Sequence, residues 1–284
     1  MIAPWISSAS RAFSLHAFPK KVLLAGPYVG EFGHELVDWQ GYIRNLRPRY
    51  KEVHVITYPG RESLYEDCVV HAHNISLEAA GYFYGNMSSS EITAYAKAKA
   101  NELHLKNFDH FHTGLLPTRF HRRLLWSQKF IRFHEPVDAR GDFDIAFHFR
   151  AINKIGPDTT KNYNPNLACD LVASCMQAGW RVCCVGHPKF SLCPEGAVDF
   201  RSDHVRDAIR GFSNARVAAG ELSGPIHLAM LCGTPIVTWV PGAWRLQGAY
   251  RRNPFEVPIH VVDTETTQVP AAKVMPHFQG ILNK

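Results

Sequence analysis

Residues 220–239 read GELSGPIHLAMLCGTPIVTW, and the fold is read outward from them. A short apolar run at 215–219 leads into Gly220. Ser223-Gly224-Pro225 then opens a helix. Serine is a good N-cap, and proline is tolerated in a first turn because its missing N–H would be unpaired there. Ile226, Leu228, Ala229 and Leu231 give this helix an apolar surface, Gly233 ends it, and 235–240 is a second strand. Strand, tight turn, helix, strand is the unit of a parallel sheet. In that unit a helix N-terminus stands at the carboxyl end of a strand, where free N–H groups and the helix dipole favour an anion. A phosphate-bearing ligand above Ser223 and Gly224 is therefore expected; a buried βαβ unit without a ligand is the alternative.

The rest of the second half repeats the pattern. A strand at 144–149 is followed by a helix at 165–177 ended by Gly179, a strand at 181–185 leading into Gly186-His187-Pro188, and a helix at 203–212. The first half starts the same way. Residues 21–25 (KVLLA) are a buried strand, 26–30 a glycine-rich turn, 31–46 a helix, and 52–57 (EVHVIT) a second strand. Phe32, Leu36, Trp39, Ile43 and Leu46 recur at helical spacing and face the core, with Glu31, Glu35 and Asp38 on a second face. A helix is also expected at 88–105, opened by Ser88-Ser89-Ser90-Glu91. Turn formers at 136–141 mark a linker. The expected organisation is an N-terminal extension at 1–20, a Rossmann-like domain at 21–137, a second at 142–263, and a weakly patterned tail at 264–284.

Composition sets limits. The chain has 284 residues and a net charge of +6, with 31 Lys and Arg against 25 Asp and Glu. That length suits two domains. The charge is compatible with anionic small ligands or an anionic membrane face, and too dispersed for nucleic acid. No apolar run reaches the length of a membrane span, and 1–20 lacks the continuous apolar segment of a signal peptide. Seven scattered cysteines without Cys-x-x-Cys suit buried thiols in a reducing compartment, hence a cytoplasmic location. Arg122, Arg123, Lys129 and Arg132 lie in a basic, aromatic stretch at 119–133 that suits peripheral contact with the inner membrane face or, equally, a plain basic helix.

The segment Gly220-x-x-Ser223-Gly224-Pro225-x-His227-Leu228-Ala229-x-x-x-Gly233-Thr234-Pro235 resembles the donor-site segment of GT-B glycosyltransferases, particularly the heptosyltransferase-like group. The resemblance implies a compact α/β fold of two Rossmann-like domains facing across a cleft, with the tail at 264–284 crossing back to the first. It implies transfer of a sugar from a nucleotide-sugar donor to a saccharide or lipid-linked acceptor, in surface polysaccharide or lipopolysaccharide assembly, with no other cofactor. Ser223, Gly224 and His227 would then lie beside the donor diphosphate, and Glu221 would hold a ribose hydroxyl. The same group implies an acidic base directly after the first glycine turn, where Glu31 stands; His34, Glu35 and Asp38 are the reserves. An acceptor hydroxyl needs such a group to take its proton. Acids in a first helical turn are also favoured by the dipole alone.

His148 and Arg150, in IAFHFRAINK at 145–154, resemble the His-x-Arg donor element of GDP-fucose transferases, although Ala151 stands where a second Arg is usual. A planar guanidinium grips a diphosphate with two parallel hydrogen bonds, and Lys154 adds a point charge. His187-Pro188 resembles the His-Pro that contacts the donor nucleotide in GT-B sialyl- and Kdo-transferases, and a simple strand-to-loop turn explains it equally well.

Two other classes fit parts of the sequence. The Gly26-x-x-x-Gly30-x-x-Gly33 spacing and the Tyr95-x-x-x-Lys99 pair suit an NAD-dependent oxidoreductase, but strand 52–57 ends without the acid that holds the adenosine ribose. A non-catalytic sugar-nucleotide-binding protein is the other. No metal is expected: His71 and His73, and His110 and His112, lack an evident third ligand. Asp142 and Asp144 form an Asp-x-Asp that precedes its strand, whereas ligands of parallel sheets bind beyond the carboxyl ends.

Overall fold

The computed structural model of the chain describes residues 15, 17–75, 87–113, 128–134, 143–151, 162–240, 247 and 249–283. Two compact units divide it, Met1–Phe130 and Ile131–Lys284. The linker expected at 136–141 lies outside the described residues, as does nearly all of the extension at 1–20.

The first unit contains β1 (Val22–Ala25), α1 (Phe32–His34), a π-helical turn (Glu35–Trp39), α2 (Gln40–Leu46), β2 (Glu52–Thr57), β3 (Val69–Ala72), α3 (Ser89–Glu102) and β4 (Phe108–Phe111). Its four strands among the described residues are all parallel, in the order β3-β2-β1-β4. Leu23, Leu24 and Ala25 of β1 are buried, as an interior parallel strand requires. The helix expected at 31–46 is present with a change in its middle. Leu36, Trp39, Ile43 and Leu46 face the core as the spacing predicts, and Trp39 stacks on Phe111 at 4.8 Å. A π turn, however, leaves main-chain carbonyls poorly placed for bonding within the helix. Side chains take them up: Gln128 Nε2 donates to the carbonyls of Val37 and Asp38 at 2.8 and 3.0 Å, and Gln40 Nε2 to that of Leu36 at 2.9 Å. The turn also carries Glu35 and Asp38 into the interior, so the expected second face is not solvated.

Residues 128–134 form neither helix nor strand, and Arg122 and Arg123 lie outside the described residues. Ser88 caps α3 in a capping box with Glu91.

In the second unit lie β5 (Phe143–Arg150), α4 (Pro165–Gln177), β6 (Val182–Gly186), β7 (Ser191–Leu192), β8 (Val198–Arg201), α5 (Val205–Ser213), β9 (Ala215–Glu221), α6 (Gly224–Cys232), β10 (Ile236–Trp239), β11 (Ile259–Val262) and α7 (Ala271–Leu282). Six strands are parallel in the order β11-β10-β9-β5-β6-β8, and β7 pairs antiparallel with the end of β5. Read along the chain, β5 is the first of these parallel strands and β9 the fourth, so the order is that of a doubly wound dinucleotide-type sheet. The strand order reverses between β5 and β9. In the tail, α7 buries Val274, Phe278 and Leu282 in a core with Leu171, Val172 and Cys175 of α4. No helix among the described residues is long and apolar enough to cross a membrane.

Candidate functional site

The reversal between β5 and β9 gathers most of the expected donor residues. His148 is paired in register with Gly220 on the neighbouring strand. One step on, β5 ends at Arg150, and β9 ends at Glu221 before Ser223 opens α6. Two glycines permit this packing. A Cβ on Gly220 would stand 2.6 Å from the His148 carbonyl oxygen and 3.0 Å from Ile226 Cδ1. Gly186 has φ +127°, and a Cβ there would stand 2.6 Å from Ser191 Oγ and 2.9 Å from His148 Nδ1. His148 is buried, with Nδ1 donating to the Val185 carbonyl at 3.1 Å, so it links β5 to β6.

Ser223 is the N-cap of α6, in extended conformation, yet its side chain makes no capping bond. It is 5% exposed, and its Oγ has no hydrogen-bond partner among the described residues. A buried hydroxyl in that condition costs about 1–3 kcal/mol. Glu221 and His227 are buried beside it, and Gly224 is the first residue of the helix. Gly233, at φ +80°, closes α6 as the sequence predicts. Arg150 is half-buried, and its guanidinium makes no hydrogen bond or ion pair among the described residues; its backbone carbonyl accepts from the Tyr163 N–H at 2.7 Å. Lys154 lies outside the described residues.

His187 is placed differently. Its Nδ1 accepts from the Lys189 N–H at 3.1 Å, which leaves Nε2 to donate to Asp203 at 3.0 Å. Its carbonyl accepts from Ser191 Oγ at 2.8 Å. These contacts hold the turn after β6. Asp144 sits at the amino end of β5, accepting from the Arg181 N–H at 2.9 Å and from Arg216 at 3.2 Å, away from the strand end that carries Arg150. Asp142 lies outside the described residues.

In the first unit the glycine turn is stitched to both neighbouring strands. The Gly26 N–H donates to the Phe111 carbonyl and the Tyr28 N–H to that of Ile56, both at 2.8 Å. Gly26 has φ +110°, and a Cβ there would collide with the Ile56 carbonyl. Glu31 is the N-cap of α1. Its side chain makes no capping bond, and its carbonyl accepts from Tyr28 Oη at 2.6 Å.

Glu35 is not an open base. It is fully buried, ion-paired with Arg61, and accepts from Thr57 Oγ1 at 2.5 Å and Tyr65 Oη at 2.8 Å. Burial, then the Glu35 charge, push the Tyr65 phenol well above its usual range. The Arg61 guanidinium also lies over the rings of Tyr58 and Phe32, at 4.5 and 5.1 Å. His34 and Asp38, one turn apart, pair Nδ1 to Oδ2 at 2.8 Å. The His34–Asp38 partnership was missed in sequence because a regular helix puts two such residues on one face without saying that the face is buried. His-x-x-x-Asp spacing was its only signal.

The oxidoreductase pair is otherwise engaged: Lys99 bonds Glu102 at 2.6 Å, and Tyr95 stands edge-on to His73 at 6.4 Å.

No family model matches the sequence, and no curated protein matches it. Among solved structures the chain is similar to the E. coli heptosyltransferase WaaC with ADP, at a TM-score of 0.54 and 13% identity over 92% of this chain and 99% of that one. It is similar to WaaC with ADP-2-deoxy-2-fluoro heptose, at 0.55 and 12% over the same shares. It is also similar to a glycosyl transferase family 9 protein from Veillonella parvula, at 0.52 and 11% over 86% of each chain. At these identities the likeness is one of fold, and that fold is the two-domain GT-B fold of glycosyltransferases.

Proposed function

We propose that the chain is a GT-B glycosyltransferase that moves a sugar from a nucleotide-sugar donor to a saccharide or glycolipid acceptor, in surface polysaccharide or lipopolysaccharide assembly. The observation that carries this reading is the convergence of Arg150, Ser223 and the α6 N-terminus where the β5–β9 strand order reverses. Ligands of open parallel sheets bind at that point, outside the carboxyl ends. The similar WaaC structures hold ADP and an ADP-sugar analogue, which supports a nucleoside diphosphate as the ligand class.

In this reading the second unit holds the donor. The α6 N–H groups and Ser223 Oγ donate to diphosphate oxygens, and Arg150 takes them in a planar fork. As the sugar leaves, negative charge collects on the β-phosphate, and these fixed donors are aimed where it develops. His148 sets the spacing of β5 and β6 from within, and Glu221 and His227 line the same strand and helix end. The first unit holds the acceptor, whose hydroxyl gives its proton to a group on the glycine turn or the helix behind it. The cations present on the chain are enough to answer the diphosphate charge, so metal independence is part of the proposal. A cytoplasmic location, with the membrane as the acceptor's side, is the accompanying expectation.

Thermal-shift screening against UDP, GDP, ADP, CMP and NAD in excess EDTA tests this. A nucleoside diphosphate should raise the melting temperature most, because a ligand that binds only the folded form stabilises it by mass action. Stabilisation by NAD alone, or by a diphosphate only when manganese or magnesium is restored, would contradict it.

A further inference from the structure

The glycosyltransferase reading leaves open which group takes the acceptor proton, and the geometry of the first unit narrows it. A base in such a site works best when a third group holds it in one tautomer and orientation. Glu31 lacks that support. It is an N-cap in extended conformation whose side chain makes no capping bond. His34 has the support. Its Nδ1 lies 2.8 Å from Asp38 Oδ2, the Asp38 side chain is 6% exposed, and the His34 side chain keeps 15% exposure. Both sit on or beside the π turn, which is fixed from two directions. Gln128 holds the carbonyls of Val37 and Asp38, and Glu35 is tied to Arg61, Thr57 and Tyr65.

Resting on that transferase reading, we propose that His34 is the catalytic base and Asp38 its positioning residue. Asp38 accepts the proton of Nδ1, which fixes Nε2 as the basic nitrogen. In the transfer step the acceptor O–H gives its proton to Nε2 while its oxygen forms a bond to the sugar C1. The C1–oxygen bond to the β-phosphate breaks, and its electron pair leaves with the nucleoside diphosphate. The imidazolium so formed is stabilised by the Asp38 carboxylate. Glu35 cannot serve, since its charge is already held by Arg61.

The experiment uses the full chain and its variants His34→Gln, Asp38→Asn and Glu31→Gln. Nucleotide release from ADP-glucose, UDP-glucose and GDP-mannose is measured with water as acceptor, beside calorimetric binding of the released nucleotide. His34→Gln should lower kcat by about 10²–10⁴-fold with unchanged nucleotide affinity, a larger loss than in Glu31→Gln. Asp38→Asn should lower kcat by about 10²-fold or more without raising KM, as expected when a base loses the carboxylate that sets its tautomer. Nitrogen-15 spectra of histidine-labelled protein should show His34 with its proton on Nδ1 in the wild type and a changed tautomer in Asp38→Asn. This last readout does not depend on turnover. Normal kcat in His34→Gln with Glu31→Gln inactive would overturn the assignment while leaving the transferase reading intact, as would an unaltered tautomer and kcat in Asp38→Asn. Wild-type protein that neither binds the nucleotides nor releases them would overturn both.

Discussion

Glu35 places a negative charge in the interior of the first unit and neutralises it there. Arg61 supplies the countercharge, Thr57 and Tyr65 supply hydrogen bonds, and the rings of Tyr58 and Phe32 cover the guanidinium. A buried pair of this kind contributes little beyond an apolar substitute, but breaking one side is costly because the other charge is left uncompensated. Glu35→Gln should therefore destabilise the fold by about 3–5 kcal/mol. Chemical denaturation of the variant checks this, and a loss well under 1 kcal/mol would mean that Arg61 finds another partner. Sequence placed Glu35 among reserve bases, since a carboxylate near a glycine turn reads alike whether it faces substrate or an arginine 26 positions on. Only the fold brings Arg61 to it. Ser223, by contrast, was legible from its neighbours: a serine, a glycine and a proline after a strand specify a helix start wherever they occur.

At the scale of elements, the β9–turn–α6 unit works because Gly220 lets two strands and a helix close on one another. An added methyl would meet a main-chain oxygen of β5 at 2.6 Å, and a strand in mid-sheet has no room to retreat. Gly220→Ala should cost about 1–3 kcal/mol, the range for overpacking a tight interior. It should also weaken nucleotide binding, because β5 and β9 carry the proposed donor-binding groups at their ends. A variant with wild-type stability and affinity would show that this packing is not what sets the spacing. Other elements follow expectation closely, α4 in the second unit and β2 in the first to the residue. Elements that were not foreseen have specific causes. β4 (FDHF) and β8 (VDFR) are four residues long and each carries two charged or His residues, so no apolar run announces them. α7 contains Pro276, which normally ends a helix, and yet it packs Val274, Phe278 and Leu282 into the core; tertiary burial overrides the local penalty. The π turn left no trace in composition, because its carbonyls are satisfied by Gln128, far along the chain.

For the whole molecule, two Rossmann-like units share one logic: a buried parallel strand, a glycine at a place where a Cβ would collide with a neighbouring main chain (Gly26 and Gly220), and a helix that follows. In each the proposed site residues follow the carboxyl ends of parallel strands, where backbone N–H groups and side chains are not consumed by the ladder. The resemblance of residues 220–235 to a donor segment and the strand order of the second unit point to the same place by independent routes. One is a pattern of residue types, the other a topology. The central claim is that this place binds a nucleoside diphosphate through Arg150 and Ser223. Isothermal titration of ADP, GDP and UDP into the wild-type chain and into Arg150→Ala tests it most directly. The account predicts that one of these nucleotides binds the wild type and that the variant binds it about 1.5–3 kcal/mol more weakly, the scale of one hydrogen bond to a charged group. Equal affinity in the two proteins, or binding of NAD in preference to every nucleoside diphosphate, would contradict it.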